Sequence, residues 1–333
     1  MYTEDFTFFK KHGYLQTPRI FQIEITNKCP LNCRQCYKDV DNPRHIDFEV
    51  LERSVCEAAD LGVKRIMING GEPLMYPKFI EAVSLMNSKG ILPTCFSSGA
   101  GLTPQIVKSL KKLEIEFLVS FNGSTKEVHE RSRDGYDIAI KAVNLLQSFN
   151  VEFGINWVAR HDNTKDLPAM IQFARSMGAK GITVVCDKVT GNYEVESPLA
   201  AEDFEYLSKI LRMPENEKYM AIQNCNNILA TYSYNMPKSR LYGCPAGIMS
   251  CTITVNGQFV PCPHLYYPEK FNSIKEYWEN SLYLDALRNS YTEKLEFCDT
   301  CARNSRCRFC RAISSISHKD FTKGYKDCPI YLA

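Results

Sequence analysis

The chain has 333 residues, enough for about two domains and a full-sized hydrophobic core. Its 44% hydrophobic and 23% charged content is ordinary for a globular protein, and a formal net charge of +2 gives no electrostatic reason to expect nucleic acid or an anionic membrane as partner. The opening MYTEDFTFFKKHGYLQ mixes acids and lysines without an apolar core, so it does not read as an export signal. No apolar run approaches the roughly 18–20 residues of a spanning helix. The expected location is the cytoplasm. There, fifteen cysteines, an odd number with C-x2-C spacings, read as metal ligands rather than disulfides.

In chain order, residues 21–25 alternate like a strand, and 47–61 carry Phe48, Leu51, Val55 and Ala58 or Ala59 at helical spacing before Gly62. A strand over 64–69 runs into Gly70-Gly71-Glu72-Pro73. The pattern then repeats: helix 77–89, strand 91–97, helix 104–113, strand 115–121, helix 137–149, strand 151–159, helix 166–177, strand 181–186. Strands alternating with amphipathic helices predict parallel βαβ units. In such units, chemistry gathers where the strands end. Residues 187–240 read as a bridge with helices at 201–211 and around 220–233. A hairpin is expected about Asn256-Gly257 within 253–260, then a helical stretch over 272–289.

Two cysteine fields frame this pattern. Cys29, Cys33 and Cys36, spaced C-x3-C-x2-C, directly follow the first strand, and Tyr37 comes next. Three soft thiolates suit an iron–sulfur cluster that normally takes four ligands, leaving one iron open. With Gly70-Gly71-Glu72-Pro73 one βα unit later, the chain resembles the radical S-adenosylmethionine (radical SAM) superfamily. The resemblance implies an α/β fold, a partial (β/α)6 TIM-type barrel, and a 4Fe–4S cluster whose open iron chelates SAM. It implies that Gly70, Gly71 and Glu72 hold the SAM amino group and that Tyr37 lies near the adenine. Ser120-Phe121-Asn122-Gly123 resembles the family's Ser-Leu-Asp-Gly at the end of the fourth strand, with Asn122 keeping an acceptor but losing a charge. Arg133, thirteen residues past Ser120, falls where relatives pair an arginine with the SAM carboxylate, a task suited to guanidinium. Arg131 competes for it. Asn156 on the fifth strand is a candidate ribose contact, with a satisfied buried amide as the other reading. Ser97-Ser98-Gly99 is either a ribose or substrate contact or an ordinary strand-end turn.

The second field runs Cys244, twelve residues, Gly257, four residues, Cys262, then Cys298-x2-Cys301-x5-Cys307-x2-Cys310, and finally Cys328. This order resembles the SPASM extension of radical SAM peptide and protein maturases, with one residue fewer than usual between Cys307 and Cys310. The expected organisation is an N-terminal extension (1–18), a barrel (19–186), a bridge (187–240) and a SPASM domain of small α+β type (241–333). By analogy an outer 4Fe–4S cluster takes Cys298, Cys301, Cys307 and Cys328. An inner one takes Cys244, Cys262 and Cys310, with Cys251, Cys225 or an open iron at its fourth position. Zinc is the bland alternative for C-x2-C pairs. Cys56, Cys95 and Cys186 read as small buried hydrophobes. His264 reads either as a group supporting Cys262 or as a surface residue.

The resemblance implies reductive cleavage of SAM to a 5′-deoxyadenosyl radical, hydrogen abstraction, and oxidative modification of a ribosomally made peptide by a thioether, carbon–carbon crosslink or related change. It implies three clusters, an electron donor such as flavodoxin or ferredoxin, and a peptide substrate. With 28 residues before Cys29, a separate leader-binding protein would present the peptide, or the barrel would read it directly. Alternatives are a sulfatase-type protein maturase, a radical SAM oxidoreductase acting on a haem-precursor-like small molecule, or a non-enzymatic iron–sulfur or zinc protein. No general acid or base stands out.

Overall fold

The structure, a computed structural model, describes residues 3–38, 42–188, 190, 198–222, 229, 243–290, 295–301, 307, 309–318, 320–325 and 328. The chain divides into two compact units. The first comprises Met1–Pro30, Lys38–Phe117 and Pro245–Glu293; the second comprises Leu31–Tyr37, Leu118–Cys244 and Lys294–Ala333. This division does not follow the expected domain boundaries, because it places residues 245–293 with the first three βα repeats.

In the first unit, α1 (Thr3–His12) precedes β1 (Ile20–Thr26), α2 (Phe48–Asp60), β2 (Arg65–Gly70), α3 (Phe79–Ser88), β3 (Leu92–Ser97) and α4 (Pro104–Leu110). The strands run β3-β2-β1, all parallel. Phe21, Ile23 and Ile25 of β1 are fully buried on one face, while Gln22 on the other accepts from the Asn69 amide at 2.9 Å. The period of two thus sorts an apolar face from a polar one. Helix starts are capped as their sequences suggest: Asp47 accepts from the Glu49 N–H at 2.7 Å, and Thr103 from Ile106 at 3.3 Å.

In the second unit, β4 (Glu116–Phe121, from Leu118 onward), α5 (Lys126–Glu130), α6 (Tyr136–Ser148), β5 (Gly154–Ala159), α7 (Leu167–Ser176), β6 (Ile182–Cys186), α8 (Ala201–Leu211), α9 (Pro214–Glu217) and β7 (Met220–Ile222) follow in order. The strands run β4-β5-β6-β7 and every pairing is parallel. The helix expected over 220–233 is corrected at its start. Met220-Ala221-Ile222 pairs with Ile182–Val184 of β6, a short apolar run whose type only tertiary pairing decides. Residues 223–228 and 230–233 lie outside the described residues.

The later segment of the first unit contributes β8 (Ser250–Ile253), which extends the sheet by pairing parallel with β1, and β9 (Phe259–Val260), antiparallel to β8 across the expected Asn256-Gly257 turn. The helical stretch predicted at 272–289 is broken into α10 (Ile274–Asn280) and α11 (Leu282–Ser290). Ser281 interrupts it: its backbone is extended, and its hydroxyl caps the second helix by accepting from Leu284 at 3.0 Å. Glu57 of α2 receives the N–H groups of Ile274 and Lys275 at 2.7 and 2.9 Å, anchoring α10 by its N-terminus. The last described helix, α12 (Arg311–His318), belongs to the second unit.

Candidate active site

In the first unit, the β2 end is bolted to the start of the cysteine loop through backbone. The Gly71 N–H donates to the Thr26 carbonyl at 2.7 Å and the Glu72 N–H to the Lys28 carbonyl at 2.8 Å. A Cβ on Gly70 would fall inside the Thr26 carbonyl, and one on Gly71 inside the carbonyls of Asn27 and Lys28. These glycines are therefore required by close approach of the chain to itself. Asn27 in turn bridges to residues 42–44, donating to the Asn42 carbonyl at 3.0 Å and accepting from the Arg44 N–H at 2.6 Å.

Glu72 departs from its expected role. Its carboxylate is buried and taken up by the Ser97 hydroxyl (2.6 Å), the Ser98 hydroxyl (2.5 Å), the Ser98 N–H (2.7 Å) and the Leu74 N–H (3.2 Å). Burial pushes its pKa up, and these four hydrogen bonds work against that push. The side chain organises the β3 end, and Ser97 and Ser98 turn their hydroxyls to it. On the polar face of the same sheet, Lys38 and Glu24 form a buried ion pair, and Glu24 also accepts from the Val255 N–H at 3.2 Å. Burial pulls the Lys38 ammonium down to about 7, with Cys262 acting in the opposite direction. Sequence reasoning missed this pair; a lysine two residues beyond the last cysteine of the motif was its one signal.

In the second unit, residues 31–37 dock onto the loop after α5. The Gln35 N–H donates to the Ser132 carbonyl at 3.2 Å, the Asn32 N–H to the Asp134 carboxylate at 2.9 Å, and the Asp134 N–H to the Cys33 sulfur at 3.4 Å. Asn122 holds this arrangement as a donor rather than the expected acceptor: its amide nitrogen reaches the Gln35 side-chain oxygen at 2.5 Å and the Ser132 hydroxyl at 2.7 Å. An ionised aspartate could donate neither bond and could pair with Ser132 only by accepting from its hydroxyl, while the Asn122 Oδ1 is buried without a hydrogen-bond partner. Behind it lies His129, fully buried and absent from the sequence reading. Its Nδ1 accepts from the Asn122 N–H at 3.3 Å, and its Nε2 lies 3.4 Å from the Asp134 carbonyl, which assigns the proton to Nε2. Burial, reinforced by the Arg133 charge, lowers its pKa to about 4.

The two arginines separate clearly. Arg131 is committed to the Asp162 carbonyl (2.9 Å) and Glu127 (3.4 Å). Arg133 keeps a buried Nε with no hydrogen-bond partner, and the buried Oδ1 of Asn156 is likewise unmatched. Ser120 and Asn156 are register partners on β4 and β5. A guanidinium donor and an amide acceptor left without partners would each cost stability unless something pairs with them. They fit the carboxylate and hydroxyl groups of SAM, and Tyr37 is half-buried at the end of the cysteine motif.

The second cysteine field is partly assembled. Cys307 is pushed up to about 12 by burial and by the nearby thiols of Cys328, Cys298 and Cys301, and Cys298 is raised by burial, with Cys301 adding to the rise. The thiols of Cys298, Cys301 and Cys328 thus act electrostatically on Cys307. Among the described residues no three His, Cys, Asp or Glu side chains converge tightly enough for a single ion. Cys244 and Cys310 are buried and Cys262 half-buried. Cys251 corrects the expected inner set. Its thiol is fully buried on the Phe21–Ile23 face of β8 in the field of Arg288 and Glu57, while Cys262 acts on Lys38 from the polar face. Cys225 lies outside the described residues. Cys95 is buried, Cys186 nearly so, and Cys56 half-buried, as expected of packing residues.

The fold and the site define a class. Residues 23–174 match the Radical SAM superfamily, so this stretch is a radical SAM domain and the protein is a radical SAM enzyme. More particularly, the chain is 26% identical over 307 residues to the PqqA peptide cyclase of Ruegeria pomeroyi, covering 86% of this chain and 80% of that one. It is 23% identical over 336 residues to the AdoMet-dependent heme synthase of Methanosarcina barkeri, covering 93% and 96%. Its fold is similar to that of Streptococcus suis SuiB, solved with its precursor peptide SuiA (TM-score 0.79, 20% identity, 96% of this chain and 78% of that one). No helix among the described residues is long and apolar enough to cross a membrane.

Proposed function

We propose that this radical SAM enzyme is a peptide maturase that oxidatively crosslinks or otherwise modifies a ribosomally made peptide. The observation that carries the reading is the radical SAM domain over residues 23–174 in a chain 26% identical over 307 residues to a peptide cyclase, with Cys298, Cys301, Cys307 and Cys328 lying beyond that domain. The resemblance to a peptide cyclase gives the substrate class.

Bound at Cys29, Cys33 and Cys36, a 4Fe–4S cluster and SAM supply a 5′-deoxyadenosyl radical that takes a hydrogen atom from the substrate. The chain's own residues prepare that event. Arg133 meets the SAM carboxylate, the backbone of Gly70, Gly71 and Glu72 meets the ammonium, and Ser120 and Asn156 meet the ribose. Glu72 and Asn122 hold these loops in place from behind. Cys298, Cys301, Cys307 and Cys328 would hold an outer cluster and Cys244, Cys262 and Cys310 an inner one, with Cys225 or an open iron at its fourth position, and such clusters would supply an acceptor for the electron left when an oxidised product closes. A flavodoxin- or ferredoxin-type protein delivers the first electron, and a separate leader-binding protein is a candidate presenter of the peptide.

The test is anaerobic reconstitution with iron and sulfide, an iron count, and an assay of 5′-deoxyadenosine under strong reductant. About twelve irons, from three four-iron clusters, with SAM cleavage is the expected result. Four irons plus zinc would overturn the auxiliary-cluster reading while keeping the radical enzyme. The coverage of almost all of the haem synthase favours one second reading, a porphyrin-type substrate. A porphyrin precursor consumed while candidate peptides are untouched would select it.

A further inference from the structure

A buried sheet face is normally apolar, and one that is buried yet polar needs partners for its polar atoms. The face of β1 opposite Phe21, Ile23 and Ile25 is of the second kind. Gln22 and Glu24 alternate along it, and Glu24 is only 5% exposed. On β8, Thr252 is the register partner of Gln22, and Ser250 stands two residues before it on the same face. Both hydroxyls are buried and have no hydrogen-bond partner among the described residues. On β2, Asn69 is the register partner of Glu24 and donates to the Gln22 side-chain oxygen at 2.9 Å. Gly70 follows directly, so this polar face ends at the loop that is bolted to Thr26. There Glu24 pairs with Lys38 and accepts from the Val255 N–H at 3.2 Å.

The donors and acceptors on this face suit one kind of group. Gln22 spends its oxygen on Asn69, which turns its amide nitrogen to donate elsewhere. The Thr252 and Ser250 hydroxyls can donate or accept. Glu24 has about four acceptor sites, of which Lys38 and Val255 take two. A peptide group needs both kinds, an acceptor for its N–H and donors for its C=O. Gln22 and Glu24 also stand about 7 Å apart along the strand, the two-residue repeat of an extended peptide laid beside them. A polycarboxylate fits badly, because Glu24 cancels the Lys38 charge and Cys262 adds a negative neighbour. We infer that Gln22, Glu24, Lys38 and Thr252 form a substrate subsite that takes a neutral, amide-bearing stretch of peptide and rejects an anionic group. The inference rests on the peptide-maturase reading above and names residues that choose between it and the porphyrin reading. They are specificity residues: they position the substrate and carry out no chemistry.

The experiment uses the full chain, reconstituted with iron and sulfide and supplied with SAM and a strong reductant. Two probes are offered: a pool of synthetic peptides acetylated and amidated at their ends, and a tetracarboxylate porphyrin. The first is read as acceleration of 5′-deoxyadenosine formation against peptide concentration, the second as a shift of the porphyrin absorption band. The wild type is accelerated by the pool and leaves the porphyrin band unmoved. Thr252→Val, which removes the hydroxyl and keeps the volume, raises KM for the pool about fivefold without lowering the urea midpoint. Glu24→Gln leaves the Lys38 charge uncancelled, raises that KM about 10- to 100-fold and gains binding of the porphyrin. If Glu24→Gln does not fold, the doubly neutral Glu24→Gln/Lys38→Met replaces it, with the same rise in KM and no porphyrin bound. Unchanged KM in Thr252→Val or in the Glu24 variant, with the wild type still accelerated, overturns the inference and keeps the maturase reading. A fall in the Thr252→Val urea midpoint makes that hydroxyl a structural group and overturns the inference as well. Porphyrin bound by the wild type, or a wild type that the pool does not accelerate, also overturns it, and both together overturn the maturase reading.

Discussion

His129 ties the acid stability of the second unit to the seat of the cysteine loop. Its pKa falls from 6.5 to about 4 on folding, so the folded chain keeps it neutral while the unfolded chain protonates it at higher pH. The stability from this group is fully present above about pH 6.5 and is lost as pH falls toward 4. At 1.36 kcal/mol per pKa unit, the loss reaches about 3 kcal/mol at the bottom of that window. The structure gives the reason: protonation at Nδ1 removes the acceptor of the Asn122 N–H, and the ring has no water to turn to. The assay is urea unfolding followed by circular dichroism between pH 4 and 7.5, for wild type and His129→Asn. The variant loses edge contacts with Phe121 and Tyr136, whose ring centroids lie 5.7 and 5.4 Å away, a cost that does not vary with pH. The difference between the two proteins should therefore shrink by about 3 kcal/mol from pH 7 to pH 4. A difference that stays constant within about 0.5 kcal/mol would refute the assignment of a neutral, buried imidazole.

Three other outcomes follow from the same geometry. Glu72→Ala strands the Leu74 and Ser98 N–H groups and should cost about 3–5 kcal/mol in urea unfolding, whereas a cost below about 1 kcal/mol would mean that water reaches this carboxylate. Arg133→Gln should weaken SAM binding about 10- to 100-fold by calorimetry on the reconstituted protein, the worth of a charged hydrogen bond at about 1.5–3 kcal/mol, and should not lower the urea midpoint of the free chain, where its buried Nε has no hydrogen-bond partner; unchanged affinity would return the role to Arg131. Replacing Cys29, Cys33 and Cys36 with alanine should abolish 5′-deoxyadenosine formation while iron stays on the C-terminal cysteines, and persisting cleavage would remove the site from this loop.

Much of this was legible in the sequence because it is local. Helix caps, glycine stops and the period-two runs of β1 through β6 are written within a few residues of where they act, and their observed bounds fall close to those predicted. Long-range pairing left no such mark. Nothing near Ser250 announces that β8 will pair with β1, and Met220-Ala221-Ile222 is too short to distinguish strand from helix without β6 beside it. The face on which Cys251 lies, fully buried beside Phe21, depends on that unpredicted pairing.

The residues that carry the motif divide into those that face the chain and those left facing something else. Gly70 and Gly71 admit backbone from the cysteine loop, Glu72 is saturated by the β3 end, and Asn122 spends its donors on Gln35 and Ser132. Gly70, Gly71 and Glu72 are satisfied without a ligand, so they work by fixing where the loops end, whereas Asn122 spends its donors on the frame and keeps a buried Oδ1 without a hydrogen-bond partner. Arg133 and Asn156 are the opposite case, polar and buried with an atom unmatched. Burial without a partner costs free energy in the isolated chain, and a bound carboxylate or hydroxyl relieves it. On the proposed assignment of Arg133 and Asn156 to SAM, its binding would be coupled to the stability of the second unit. A motif match alone assigns all these residues to the ligand, whereas hydrogen-bond accounting separates the frame from the contacts, and it does so by naming the atoms that still lack a partner.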